Sequence, residues 1–195
     1  ALRAVLPARA SIYMSLNSQV VRPLTDSPAD LDAQRRVDNL ANGIFHGPML
    51  QGAYPQSLFA DTARLTDWNF VKDGDLQAAH QPLDALGLNY YTPVVVSAKT
   101  GDATGPLATN HGVSEHQPWP AADEVVFHQP PGDTTEMGWA IDPTALYDLI
   151  TRYSKMRPDV DLYITENGAA YDDKPETDGQ VIDPDRIAYV HKHLQ

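Results

Sequence analysis

Three short runs of strand character, each followed by a helical pattern, restrict this chain more than any other feature of its sequence. Ser11 to Asn17 alternates Ile12, Met14 and Leu16 against Tyr13, Ser15 and Asn17, the two-residue period of a strand with unlike faces. Ala85 to Thr92 is apolar and aromatic, and Val160 to Thr165 is β-branched and apolar. Ser27-Pro28, Asp142-Pro143 and Asp183-Pro184 each set a capping side chain before a proline, a device that starts helices. The stripes that follow are Val37, Leu40, Ala41, Ile44 and Phe45, then Leu146, Leu149, Ile150 and Tyr153, then Ile187, Val190 and Leu194. Apolar residues at that spacing predict one buried face per helix. Strands alternating with helices imply βα units on a parallel sheet, so the fold class is α/β.

Residues 93–135 break the pattern. They are rich in Gly, Pro, Asp, His and Thr, with few periodic apolar positions. A connection that long is more than a plain turn, and the expectation is a loop insertion over the strand ends. Three strands are too few for a closed parallel barrel of eight. Their outer edges would present unpaired N–H and C=O groups, which predicts a piece less stable than its parent domain and prone to self-association. Ala1 to Pro7 lacks an initiator Met and any signal-peptide pattern and reads as the last turns of a helix. Ala188 to Gln195 reads as a helix interrupted. Both ends therefore read as cut.

Charge and cysteine count exclude several functions. With 14 basic and 26 acidic residues the net charge is -12, which disfavours nucleic acid or an anionic membrane surface as partner. No run approaches the roughly 20 apolar residues of a membrane span. There is no Cys, so thiolate chemistry, disulfides and Cys-based zinc sites are excluded. A cytoplasmic protein is expected. His191 and His193 are two apart on a helix and share no face; His111, His116 and His128 lie in the long loop without ligand spacing. No metal or cofactor is expected. Asp172-Asp173 reads as a solvated loop, Asp183/Asp185 as a helix cap, and Arg35-Arg36 as a solvated helix face.

Active sites of parallel barrels sit at the C-terminal ends of the strands. Polar side chains follow all three strands here: Asn17, then Asn89-Tyr90-Tyr91, then Glu166-Asn167-Gly168. Glu166 is the sharpest position, a carboxylate between a strand and an Asn-Gly turn. Position alone also allows a solvated glutamate at a strand end.

Four segments carry a family resemblance. Tyr163-Ile164-Thr165-Glu166-Asn167-Gly168 resembles the nucleophile segment of glycoside hydrolase family 1. Leu86-Gly87-Leu88-Asn89-Tyr90-Tyr91-Thr92 resembles its strand-six segment. Met137-Gly138-Trp139, then Ile141-Asp142-Pro143 and Leu146-Tyr147, resembles its M-G-W-E segment, and Phe45 to Met49 with Gly52 to Pro55 resembles its D-P run. All four occur in the family's order and spacing, and together they cover nearly the whole chain.

The resemblance implies a partial (β/α)₈ TIM barrel, strands five to seven with their helices. It also implies hydrolysis of β-glycosides with retention, which needs two carboxyl groups roughly 5–5.5 Å apart. Glu166 would be the nucleophile and Tyr91 the phenol that orients it. Asn89 would belong to the same hydrogen-bonded shell, Trp139 would line the leaving-group entrance, and Asn17 would be a weaker leaving-group contact. From the residues alone Tyr91 and Trp139 are equally packed aromatics, Asn89 a turn cap, and Asn167 a turn residue. The family's acid/base segment and its strand-eight sugar-binding segment are absent from residues 1–195, so the fragment itself is expected to be inactive. Two departures are local: Ala140 stands where the family has Glu, and His46-Gly47 where it has Asp. Alternatives are a 6-phosphoglycosidase or thioglycosidase parent, or a non-catalytic sugar-binding module.

Overall fold

The computed structural model of the protein describes residues 2–100, 107–109, 112–114, 119–175 and 178–195, with the backbone alone for 107–109 and 112–114. In chain order the elements begin with α1 (Leu2–Val5), β1 (Tyr13–Asn17), β2 (Val21–Pro23) and α2 (Pro28–Asp38). A π-helical turn (Asn39–Gly43), α3 (Ile44–His46) and a second π-helical turn (Gly47–Gln51) continue α2. Then come α4 (Gln56–Thr62), α5 (Asp75–Ala79), β3 (Ala85–Asn89), β4 (Val94–Ala98), β5 (Leu107–Thr109), β6 (Gly112–Ser114) and β7 (Val125–His128). The chain closes with α6 (Pro143–Met156), β8 (Asp161–Glu166) and α7 (Pro184–His193).

The three expected strands form one parallel sheet in the order β1-β3-β8. Two are shorter than the sequence suggested, and the third is shifted by one residue to Asp161–Glu166. Val160 turns inward before β8 begins, and Tyr90 to Thr92 leave the ladder after β3. One face packs against α6: Leu86, Leu88 and Tyr90 meet Ala145, Leu146, Leu149 and Tyr153 in one buried cluster. The opposite face carries Tyr13, Ser15, Gly87, Asn89, Tyr163 and Thr165, the alternate positions of the same strands. Most of it lies open to solvent, with Tyr13 and Tyr163 stacked at 6.2 Å.

All three cap-plus-proline starts hold. The side chains of Ser27, Asp142 and Asp183 accept hydrogen bonds from the backbone N–H groups of Asp30, Ala145 and Arg186 at 3.2, 3.1 and 3.1 Å. The buried stripe of α6 also matches its sequence pattern. The other two stripes need correction. After α2 the backbone enters π-helical turns, and a wider turn rotates the face that follows. Leu40 and Ala41 stay buried, but Phe45 is 54% exposed. In α7 it is Tyr189 that is buried, while Ile187 (68% exposed), Val190 and Leu194 face outward.

Residues 93–135 are not irregular throughout, as the sequence had suggested. β4 pairs parallel with β2 and antiparallel with β7, making a second three-stranded sheet. Val94, Val96, Val125 and Phe127 pack with Val37, Leu40, Leu58 and Trp68 in a separate core. These strands are three to five residues long, too brief to stand out among so many turn residues. His111 and His116 lie outside the described residues. His128 faces Ser97 at 2.7 Å across the β4–β7 pair. Arg35 does not stand free on a solvated face: it bridges Asp32 and the well-covered Asp61. No described helix is long and apolar enough to cross a membrane.

Candidate active site

Glu166 is the last residue of β8, and an irregularity in the ladder aims it. Leu88 pairs with Ile164, but Asn89 pairs with Glu166, so Thr165 is an extra residue in a β-bulge. Regular alternation would send Thr165 and Glu166 to opposite faces. The bulge sets Glu166 across from Asn89 instead, and bulges commonly redirect a side chain in this way.

Tyr91 meets the carboxylate there. Its hydroxyl donates to Glu166 Oε2 at 2.6 Å. Burdened first by that bond to a carboxylate and then by partial burial, the phenol's pKa is pushed up to about 12. Tyr91 therefore keeps its proton, and its role as donor, throughout the neutral range.

Several bonds fix the segment that carries Tyr91. The Tyr90 N–H donates to the Glu166 carbonyl at 2.9 Å. The Tyr90 hydroxyl donates to the Asp142 carbonyl at 2.7 Å from a fully buried ring. Asn167 spends its amide protons on the Tyr90 carbonyl and the Tyr189 hydroxyl, both at 3.0 Å. Asn167 thus ties β3, the end of β8 and α7 together, a wider role than the turn residue expected from sequence.

Trp139 stands beside Tyr91, ring centroids 5.5 Å apart and tilted by 62°. A tight turn presents it. The Gly138 N–H donates to the Thr135 carbonyl at 2.9 Å with Gly138 at φ +75, a backbone region that favours glycine. The Glu136 N–H donates to the Ala170 carbonyl at 3.0 Å, fastening this turn to the loop after Glu166. Ala140, where the family pattern has Glu, is buried and bridges Thr134 across the same turn.

Asn89 lies in the same sheet position but bonds elsewhere: its Oδ1 accepts from Ser15 at 2.9 Å and Thr165 at 2.6 Å. Asn17 is exposed on β1, with β3 between it and β8. Two strand spacings, roughly 10 Å, separate it from Glu166. The structure thus brings Glu166, Tyr91 and Trp139 into one group, sets Asn89 against it, and leaves Asn17 at its margin. Sequence reasoning passed over Ser15 and Thr165. Their signal was available: both fall on the inward phase of their strands, flanking Gly87.

A carboxylate at a strand end, held by a phenol from the neighbouring strand, is the feature that the four sequence segments had suggested. The profile of glycosyl hydrolase family 1 matches residues 2–195. The chain belongs to glycosyl hydrolase family 1. It is 42% identical over its whole length to the bifunctional beta-D-glucosidase/beta-D-fucosidase of Bifidobacterium breve, of which it covers 41%. Among solved structures it is similar to the beta-glucosidase of Exiguobacterium antarcticum B7, with 31% identity, a TM-score of 0.83, and 100% of this chain against 39% of that one. It is also similar to the psychrophilic beta-glucosidase BglU of Micrococcus antarcticus, with 35% identity, a TM-score of 0.82, and 94% against 40%. The chain spans about two fifths of the length of these relatives. As a family 1 chain its parallel sheet is part of a (β/α)₈ barrel, and the open face of β1-β3-β8 is the barrel's inward side.

His46, in the His46-Gly47 pair that departs from the family's Asp-Pro run, is 2% exposed and meets Tyr153 edge-on at 4.8 Å. Its Nδ1 contacts the Tyr153 hydroxyl, and its Nε2 lies 3.4 Å from Ser18 Oγ. Burial, with Arg152 nearby, brings its pKa down to about 4, so the ring is neutral and serves as one acceptor and one donor.

Proposed function

We propose that this chain supplies the nucleophile half of a retaining β-glycosidase acting on small β-glycosides of the glucoside type. The observation that carries this reading is the 2.6 Å bond from Tyr91 to Glu166 at the strand ends. The names of the relatives, beta-glucosidases by description, point the same way.

In the proposed reaction a Glu166 oxygen attacks the anomeric carbon as the bond to the leaving oxygen breaks. A second carboxylic acid, from a part of the barrel outside residues 1–195, gives its proton to that oxygen. The product is a glycosyl ester of Glu166. Water, deprotonated by the same second carboxylate, then attacks the anomeric carbon and releases Glu166, so two inversions give net retention. Tyr91 holds the attacking carboxylate in line and remains hydrogen-bonded to it when it is expelled. Trp139 offers an aromatic wall beside Tyr91 for the leaving group. The absence of Cys fits a cytoplasmic setting. Residues 1–195 alone would lack turnover for want of the acid/base. Their open edges β1 and β8, with exposed Tyr13, Met14, Tyr163 and Ile164, favour self-association.

The test uses the complete enzyme that carries this segment. Glu166→Ala should lower turnover of an aryl β-glucoside by roughly 10⁴-fold or more, as loss of an enzymic nucleophile does. Added azide should restore release of the aryl group and yield the α-glycosyl azide. Normal turnover by the variant, or a β-configured azide, would sink the reading.

A further inference from the structure

We infer that Ser15 and Thr165 are positioning residues that set the orientation of the Asn89 amide beside the nucleophile; the inference rests on the proposed role of Glu166. Three oxygens form a closed triangle on the inward face of the sheet. Ser15 Oγ lies 2.9 Å from Asn89 Oδ1, Thr165 Oγ1 lies 2.6 Å from the same atom, and the two hydroxyls are 2.6 Å apart. Two hydroxyls carry two protons between them, so only two of the three edges are hydrogen bonds. Either both protons point at the amide, or one hydroxyl donates to the other, which then donates to the amide. Every assignment ends on Asn89 as acceptor. The reversed amide would place a nitrogen 2.6 Å from Thr165 Oγ1, shorter than the usual N–H···O range and ordinary for O–H···O. The oxygen therefore faces the triangle, and Nδ2 with its two protons is turned away from both hydroxyls.

Two features of the backbone serve this arrangement. Thr165 is the bulged residue that the β3–β8 ladder leaves unpaired, so its side chain does the fastening that backbone bonds do elsewhere. Gly87 supplies the room. A Cβ there would lie 2.7 Å from Thr165 Cγ2, 2.9 Å from Thr165 Oγ1 and 3.1 Å from Ser15 Oγ. Glycine weakens a strand interior, and this close approach accounts for it. Asn89 is the register partner of Glu166. A fixed amide there keeps its carbonyl on the two hydroxyls and leaves its N–H groups for a sugar held against the nucleophile, whose own carboxylate is met by Tyr91. An amide free to turn would present its oxygen to a carboxylate half the time, and the two repel.

The experiment compares Thr165→Val, which keeps the shape and removes the hydroxyl, with Thr165→Ser, which keeps the hydroxyl and removes the methyl, in the complete enzyme. Thr165→Val should lower kcat/KM for an aryl β-glucoside by about 10-fold to 10²-fold, the scale of a small misplacement near reacting atoms. The fall should lie in kcat, and the acidic limb of the pH profile should move to higher pH because an amide released to turn brings its oxygen toward the carboxylate and disfavours the charged form. Thr165→Ser should stay within about threefold of wild type with the wild-type limb. Should Thr165→Val not fold, Ser15→Ala opens the other vertex and is read in the same way with a smaller shift. An unmoved limb and full activity in Thr165→Val, or equal losses in the Val and Ser variants, would overturn the inference. Azide rescue of Glu166→Ala in the same background separates the two claims. Rescue beside an unaffected Thr165→Val sinks only the positioning role; no rescue sinks the nucleophile reading beneath it.

Discussion

The two faces of the β1-β3-β8 sheet share a backbone and obey different rules. Toward α6, Leu86, Leu88 and Tyr90 are fully buried against Leu149 and Tyr153, and packing decides which residues fit. On the opposite face Ser15, Gly87, Asn89 and Thr165 are small or polar, with Ser15 and Thr165 exposed, Asn89 half-buried and Gly87 buried between them, and hydrogen-bond geometry decides. Along β3 the two sets alternate residue by residue. Substitutions on the first face should cost stability, and substitutions on the second should cost chemistry. The tilt toward polar groups also explains why the site sits where it does. Apolar burial is non-directional, whereas a bond such as Tyr91 to Glu166 fixes an oxygen in space.

The largest expected effect on stability is at Leu88. Leu88→Ala should destabilise residues 1–195 in urea denaturation by about 2–5 kcal/mol, against less than about 1 kcal/mol for Ser15→Ala. Equal losses would erase the distinction between the faces.

Next is a buried polar contact on the packed side, His46 with Tyr153. Its folded pKa is about 4 against 6.5 in the unfolded chain, so below 6.5 the unfolded chain binds more protons. Its contribution is fully present above pH 6.5 and is lost as pH falls to about 4. The loss is on the order of 3 kcal/mol. Replacing His46 with Gln should flatten that part of the stability-against-pH curve. An unchanged slope between pH 6.5 and 4 would show that His46 is not the group responsible.

Smallest in free energy, and confined to chemistry, is Tyr91. Tyr91→Phe in the complete enzyme should reduce kcat by about 10-fold to 10²-fold while the melting temperature moves by no more than a degree or two. A large stability loss with unaltered kcat would make Tyr91 a packing residue and would break the contrast.

Much of this was legible in the chain itself, and the failures have physical causes. The strand runs, the three capped helix starts and the α6 stripe follow from local chemistry, and the structure keeps them. Glu166 and Tyr91 were placed by motif, and their meeting needed only adjacent strands. The second sheet was missed because β2, β4 and β7 are short and find their partners far along the chain, where local pattern is silent. Phe45 was misplaced because a π-helical turn breaks the 3.6-residue phase. The α7 stripe failed because Ile187, Val190 and Leu194 are exposed and Tyr189, outside the stripe, is the residue that packs. Ser15 and Thr165 were passed over although strand phase places both on the inward face; what no periodicity announces is the bulge that sets Glu166, rather than Thr165, in register with Asn89. Asn17 closes β1 as its strand-end position implied, with β3 between it and Glu166.

The central claim is that Glu166 forms the bond to the anomeric carbon. Treating the complete enzyme with a 2-deoxy-2-fluoro β-glucoside, which slows release of the glycosyl ester, followed by proteolysis and peptide mass mapping, tests it most directly. The expected result is one fluoroglucosyl group on the peptide carrying Tyr163-Ile164-Thr165-Glu166-Asn167, with fragmentation placing it on Glu166. A label on any other carboxylate would contradict the account.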